Sequence, residues 1–194
     1  MKRKILLIAM VVACAAIAAS RSYAYFVTQD RVHNVITSDS VDIEVEHWLD
    51  TNEGLVPYPA EPIQVMPGIT VKKVVTVKNK EAESFIRAKY ELLMKDAEGR
   101  IIEFTSEELG EKVQVVMNQT DWVRKTDDSE WWYYKHGVAA DASTNPMFTG
   151  ISFDGANITN EYQNCTVELK VRAQAVQTAN NGNSAVEATG WPAN

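Results

Sequence analysis

Three histidines are the first side chains in this 194-residue chain that could do chemistry. A zinc protease needs two histidines one helical turn apart with a glutamate beside them, so that all three face the metal. Here His33, His47 and His136 are far apart in sequence, and Glu46 precedes His47 in a strand pattern that directs neighbouring side chains to opposite faces. The sequence therefore predicts no metal site.

Two groups of carboxylates could in principle hold a calcium ion. Neither has the Asp-x-Asp-x-Asp-Gly spacing of a calcium-binding loop, so we favour solvated charge in turns. The two groups are Asp39, Asp42 and Glu44, and Asp127, Asp128 and Glu130.

A run of four aromatic residues, Trp131, Trp132, Tyr133 and Tyr134, could form a platform on which a sugar stacks. In a strand the four rings divide between two faces, so we favour a role in packing. The chain also lacks the Gly-x-Ser-x-Gly turn that carries the serine of many hydrolases. We predict no catalytic residue, no cofactor and no enzymatic activity.

The N-terminal residues predict export. Lys2, Arg3 and Lys4 precede residues 5–19, which are apolar and uncharged. Fifteen residues fall short of the roughly 20 that a transmembrane helix needs, whereas this length behind positive charge is typical of a secretory signal peptide. The small residues Ser22 and Ala24 predict cleavage between Ala24 and Tyr25, so that residues 1–24 are removed.

The net charge excludes one class of partner, and the cysteine content limits the possible disulfides. Residues 1–24 hold four basic residues and no acidic one, so cleavage would change the formal charge from −7 to −11. We therefore exclude nucleic acid as a partner, because phosphate binding needs clustered Lys and Arg. After cleavage Cys165 is the sole cysteine. We favour a buried thiol over intermolecular pairing, since Cys165 directly precedes a strand pattern.

Alternation of apolar and polar residues predicts mainly strands. It is clearest in residues 41–46, 84–95 and 166–177, while Pro67 and Gly68 predict a turn. Three prolines predict an extended surface connection over residues 50–64. A helical turn is expected at residues 106–110, and a capping box of Ser184 with Glu187 predicts a second short helix. The prediction is an all-β, antiparallel two-sheet jelly-roll sandwich with one or two short helices.

Several stretches carry a resemblance to a known family. Tyr23-Ala24-Tyr25-Phe26 behind an Ala-rich apolar run resembles the junction cut by SipW-type signal peptidases. Three further stretches are similar to the TasA and camelysin family. They are Met66-Pro67-Gly68-Ile69 with the strand after it, a predicted hairpin of residues 122–134 that we call the aromatic hairpin, and residues 173–181 with Trp191 and Pro192. This family comprises extracellular fibre proteins of Gram-positive biofilms.

The resemblance implies a secreted jelly-roll subunit, residues 38–194, that polymerises in a biofilm matrix or at the cell surface. Residues 25–37 would be the donor strand that completes the sheet of the next subunit. Its expected contacts are Phe26, Val27, Val32, Val35 and Ile36, although Gln29, Asp30 and Arg31 interrupt the apolar alternation.

The implied partners are further copies of the chain, related minor fibre subunits and a SipW-type signal peptidase, with no membrane contact after cleavage. One alternative is a monomeric surface-binding module that contacts a glycan or a matrix protein through the aromatic hairpin. A less favoured alternative is a camelysin-like metalloprotease.

Overall fold

The computed structural model describes residues 26–33, 41–59, 63–65, 67–158, 162 and 164–192. The predicted signal peptide, the bond between Ala24 and Tyr25, and the residues Val35, Ile36 and Asp39 lie outside the described residues. Among the helices of the described part, none is both long and apolar enough to cross a membrane.

The described chain forms thirteen strands and one α-helix. In chain order they are β1 (Phe26–His33), β2 (Ile43–Thr51), β3 (Gly54–Pro57), β4 (Ile63–Val65), β5 (Thr70–Val71), β6 (Lys73–Asn79), β7 (Ser84–Lys95), β8 (Ile101–Ile102), α1 (Ser106–Lys112), β9 (Val113–Met117), β10 (Trp122–Lys125), β11 (Asp128–Tyr134), β12 (Phe148–Phe153) and β13 (Thr166–Gln177).

The strands form two packed sheets. Sheet 1 has the order β10-β11-β7-β13-β1-β4, and β8 pairs with the far end of β7. Sheet 2 has the order β3-β2-β6-β12, with β5 beside β6 on the same edge of β12 and β9 on its other edge. The predicted all-β two-sheet sandwich is confirmed.

Alternating apolar residues of both sheets fill the space between them. Sheet 1 contributes Ile86, Val167 and Val171, and sheet 2 contributes Val75 and Phe148, all fully buried. The two strands predicted at residues 84–95 and 166–177 are β7 and β13 and pair in register over their full length. Because apolar residues recur at every second position, one face of each strand packs in the core and the other face points outward.

The C-terminal residues pack on the outer face of sheet 1 and form a second, smaller cluster. Phe85, Trp131 and Tyr133 of the sheet are covered there by Ala185 and Ala188. The predicted helix of residues 184–190 is wrong, because this segment forms turns. The Glu187 carboxylate accepts from the Asn183 N–H at 3.2 Å and therefore does not complete a capping box at Ser184.

A capping box does occur at α1. The Thr105 side chain accepts from the Glu108 N–H at 3.2 Å, and the Glu108 carboxylate accepts from the Thr105 N–H at 2.8 Å. The predicted helical turn at residues 106–110 is therefore confirmed, as a longer helix.

The proline-rich connection contains two strands that its composition did not predict. β3 forms a hairpin with β2, and β4 pairs with β1. Pro57 is accommodated because it ends β3 at the outer edge of sheet 2, where it has no partner that needs its missing N–H. The turn predicted at Pro67 and Gly68 is confirmed, with Gly68 at φ 80°.

Candidate assembly site

The N-terminal strand is inserted into sheet 1 between β13 and β4. β1 pairs in parallel with β13 through seven residue pairs, from Val27 with Thr166 to His33 with Arg172. On its other edge, Phe26, Val27 and Thr28 pair with β4 in antiparallel orientation. We call the space that β1 occupies the β13/β4 slot.

The sequence of β13 explains why this strand can form the wall of a slot. It is a 12-residue strand without Gly or Pro, so it can hydrogen-bond along both edges. Val167, Leu169, Val171, Ala173 and Ala175 face the core and are at most 2% exposed. Its first seven residues need β1, or another strand, to satisfy the backbone groups on the edge away from β7.

The register relates the predicted donor residues to this wall. Val32 lies opposite Val171, and Asp30 lies opposite Leu169. The strand thus continues through Gln29, Asp30 and Arg31, where the apolar alternation is interrupted. Residues 26–33 of the predicted donor segment are therefore in a strand.

The sequence did not predict two features of the slot. All other described strand pairs are antiparallel, whereas β1 and β13 run in parallel. The prediction also named no acceptor, although the long uninterrupted alternation of β13 could have indicated a strand with neighbours on both sides. The β4 wall carried no recognisable signal, because three residues beside prolines do not establish a period.

Charged residues lie on the outer face beside the slot. Glu168 is fully buried and its carboxylate lies 2.5 Å from the Lys95 ammonium on the neighbouring strand β7. Further along β13, Lys170 and Arg172 lie opposite Glu91 and Lys89 of β7. This arrangement positions strands and shows no pair of groups placed for acid–base chemistry.

The two histidines whose side chains are described, His47 and His136, belong to no metal site. His47 lies in β2, and His136 is exposed with its ring 3.8 Å from the Asp121 carboxylate. Hydrogen bonding from Asn118, and further from Asn145, holds the pKa of Asp121 below its usual value. Within the described residues no three His, Cys, Asp or Glu side chains form a group that could hold a metal ion.

Four of the six carboxylates considered for calcium have partners within the chain. Lys80 lies 2.8 Å from Glu44 and 3.9 Å from Asp42. Glu130 pairs with Lys89 at 3.0 Å, and Asp128 accepts from the Tyr133 hydroxyl at 2.7 Å. These contacts support the prediction that the groups are turn and surface charge.

The four aromatic rings of the hairpin are all buried. Trp132 and Tyr134 belong to the main core, whereas Trp131 and Tyr133 belong to the cluster under the C-terminal segment. None of the four is more than 9% exposed, so they present no open surface on which a sugar could stack. The packing role predicted for them is confirmed.

The lone cysteine also follows its prediction. Cys165 is 2% exposed and joins the main core directly before β13. Burial raises the pKa of the thiol, which keeps it protonated and unreactive.

Comparisons of the chain with protein-family models, with curated proteins and with solved structures found no match. The slot in sheet 1 is thus the structural feature from which a function can be argued.

Proposed function

We propose that this chain is a non-enzymatic structural subunit of an extracellular fibre, which polymerises when β1 of one copy enters the β13/β4 slot of the next. The observation that carries the proposal is the placement of β1 inside sheet 1, with a strand on each side, rather than at an outer edge. A terminal strand in this position can be exchanged between copies without changing the rest of the sandwich.

The backbone gives the exchange its physical basis. Without β1, the edge of β13 from Thr166 to Arg172 would leave its N–H and C=O groups unpaired, and β4 would lose its pairing with Phe26, Val27 and Thr28. A strand from a second copy restores the same hydrogen bonds in the same register. Main-chain pairing therefore supplies affinity, and the core-facing positions of β13 supply the register.

Competition between the chain's own strand and that of a neighbour determines when fibres form. A tethered strand acts at an effective concentration in the millimolar range, which favours the closed monomer in dilute solution. Export to a crowded cell surface raises the concentration of neighbours, and any further contact between subunits adds to the free energy of the polymer. We propose secretion into the extracellular matrix on the basis of residues 1–24 and the resemblance of the junction at Tyr25.

Electron microscopy of the mature chain, beginning at Tyr25, tests the proposal. We expect filaments from the concentrated mature chain and none from a chain that lacks residues 25–37. The shortened chain retains its slot but has no donor strand, so substoichiometric amounts of it should cap growing filaments and shorten them. Filaments of the shortened chain alone would contradict the proposal.

A persistently monomeric mature chain would point instead to a minor subunit that needs a partner, or to a surface-binding module. The second of these would need a contact other than the aromatic hairpin, since the rings of Trp131, Trp132, Tyr133 and Tyr134 are buried.

A further inference from the structure

Strand β7 has an open stretch on the edge that faces away from β13. On this edge β11 pairs with Arg87 and Ala88, and β8 pairs with Met94 and Lys95. Between these contacts, no backbone pairing of residues 89–93 of β7 with a described residue occurs on this edge. Sheet 1 therefore has a short gap in the middle of one of its longest strands.

The hydrogen-bond pattern identifies which groups face the gap. Ser84 and Val138 exchange backbone hydrogen bonds of 3.0 and 2.9 Å across this edge. Because the direction alternates along a regular antiparallel strand, Tyr90 and Leu92 also direct their N–H and C=O groups to this edge. The gap offers two donors and two acceptors to an added strand.

A groove between the two sheets lies directly beside these groups. It has a volume of about 600 Å³, and its wall from sheet 1 includes the half-buried side chains of Tyr90 and Leu92. Leu109, Val113 and Val115 line the opposite wall, which belongs to α1 and β9. The groove can therefore receive the apolar side chains of an extended segment.

A positively charged depression adjoins the groove, and we call it the mouth of the groove. It has a volume of about 620 Å³ and shares the lining residues Tyr90, Glu91 and Arg124 with the groove. Four cationic side chains and two carboxylates line it, although the whole chain carries a formal charge of −7. These residues are Lys89, Arg124, Lys170 and Arg172, with Glu91 and Glu130.

Strand β3 has the complementary properties. It is the outermost strand of sheet 2, and Leu55 and Val56 are 51% and 39% exposed. The Tyr58 N–H bonds the His47 carbonyl at 2.9 Å, and by alternation the N–H and C=O of Leu55 point away from β2. Acidic Glu53 and Asp50 flank this uncharged edge, and Asp50 also lies 3.4 Å from the exposed Lys72 ammonium.

We propose that the β7 gap binds β3 of a second copy of this chain. Leu55 and Pro57 supply the backbone acceptors and Leu55 one donor, while the carboxylates of the β2–β3 hairpin approach the cations at the mouth of the groove. Because Pro57 has no N–H, the added strand is short and the contact is weak and reversible.

The two surfaces belong to opposite ends of sheet 2, since β9 lines the groove and β3 is the strand at the other end. The contact is therefore heterologous, and its repetition builds an open row of subunits or, where the rotation between copies closes, a ring. It uses no residue of the donor segment, so it goes beyond the proposed strand exchange and adds a second, side-by-side contact between copies.

Two variants of the mature chain, each damaged on one surface, test this contact. Leu55→Asp places a charge on the exposed strand, and Gly110→Trp fills the groove, where a Cβ on Gly110 meets no atom within 4 Å. Ile69→Asp, at another exposed apolar residue, and Gly110→Ala are the matched controls.

Sedimentation velocity is measured for each protein alone and for equimolar mixtures. In the locked chain defined in the next paragraph, which cannot exchange β1, we expect concentration-dependent oligomers from the parent and both controls, and monomers from each variant alone. The mixture of the two locked variants should form dimers that grow no further, because it retains one intact β3 and one intact groove.

The series is performed in a locked chain, in which β1 cannot leave its own slot, so that only the contact through β3 can join copies. The locked chain carries Val32→Cys, Val171→Cys and Cys165→Ala, and its oxidation joins β1 to β13 at residues that lie opposite each other. The oligomers of the locked chain should persist and should still be lost with Leu55→Asp.

The proposal is overturned if the locked chain is monomeric. It is also overturned if Leu55→Asp or Gly110→Trp in the locked chain associates like the locked chain itself, or if the mixture of these two variants forms no dimer. Loss of fibres on locking, with the mixed dimers retained, would support both proposals, whereas retained fibres would contradict strand exchange alone.

Discussion

Replacing Arg87 with alanine should destabilise the sandwich more than any other single charge removal that we consider. Arg87 lies on the outer face of β7 and is 8% exposed. Its guanidinium donates to the Gln174 side-chain oxygen at 2.9 and 2.7 Å and to the Tyr133 hydroxyl at 3.2 Å. The same group stacks 4.3 Å from the ring of Trp131 and 4.8 Å from that of Trp191.

The expected magnitude follows from these contacts. Hydrogen bonds to a charged group contribute about 1.5–3 kcal/mol each, and the loss of the guanidinium leaves the Gln174 amide oxygen, in a residue 1% exposed, without these donors. The Asp128 carboxylate, 3.7 Å from the guanidinium, also loses its charged partner, and breaking a buried ion pair in this way costs about 3–5 kcal/mol. In a domain of this size that corresponds to a fall in Tm of about 6–20 °C.

Equilibrium urea unfolding of the mature chain measures the change. Arg87→Lys keeps the charge but loses the two-pronged contact with Gln174, so it should lie between wild type and Arg87→Ala. Arg100→Ala is the control, since the Arg100 side chain is 76% exposed and pairs with Asp96 and Glu98. The free energy of unfolding should change little in this control, because solvent screens exposed ion pairs. A cost for Arg87→Ala as small as that of Arg100→Ala would refute the reasoning.

Three other predictions concern local features. Hydrogen bonds from Thr105 hold the pKa of Glu108 below its usual value of 4.5, so the stabilisation is present above pH 4.5 and lost as the pH falls through the lowered pKa. Amide exchange in α1 should therefore accelerate in acid, and Glu108→Gln should remove this dependence. Gly150→Ala should lower the free energy of unfolding by about 1–3 kcal/mol in a urea titration, because the added Cβ would lie 3.0 Å from the Val71 carbonyl oxygen. Cys165 should not react with a thiol reagent until urea unfolds the chain. Reaction in the folded chain as fast as that of an exposed thiol would contradict its burial.

Periodic strands were the part of the fold that could be predicted from sequence. Every second residue is apolar from Ile86 to Met94 in β7 and from Val167 to Ala175 in β13, so burial of that face determined their orientation in the sandwich. The aromatic hairpin was likewise predictable, because its turn and its strands are close in sequence.

Features that depend on distant partners were not predictable. Composition marked residues 50–64 as a connection, yet β3 and β4 form there because β2 and β1 offer open edges. The match of Ser184 and Glu187 to a capping box failed because Ala185 and Ala188 pack against Phe85, Trp131 and Tyr133 instead of continuing a helix. Tertiary packing outweighed the local signal in both cases.

The candidate site likewise has one part that could be predicted from the sequence and one part that could not. The sequence predicted a donor segment from its position after the predicted cleavage site, but it could not predict that β13 and β4 are the neighbours of β1. β1 and β13 lie at opposite ends of the chain and run in parallel, so no hairpin connects them and no local pattern reports their pairing.

Fibre formation by the locked chain tests the central claim most directly. Paired strands are about 4.8 Å apart, within the Cα separation of about 4.4–6.8 Å that a disulfide spans, so the two thiols introduced by Val32→Cys and Val171→Cys can be joined. After cleavage of the signal peptide these are the sole thiols of the locked chain, and Val171→Cys without Val32→Cys is the control.

Electron microscopy is performed on the oxidised locked chain, again after addition of a reductant, and on the control. Strand exchange predicts no filaments while the disulfide holds β1 in its own slot, and filaments once it is reduced. Filaments of the oxidised locked chain, equal in number and length to those of the reduced chain, would contradict the account.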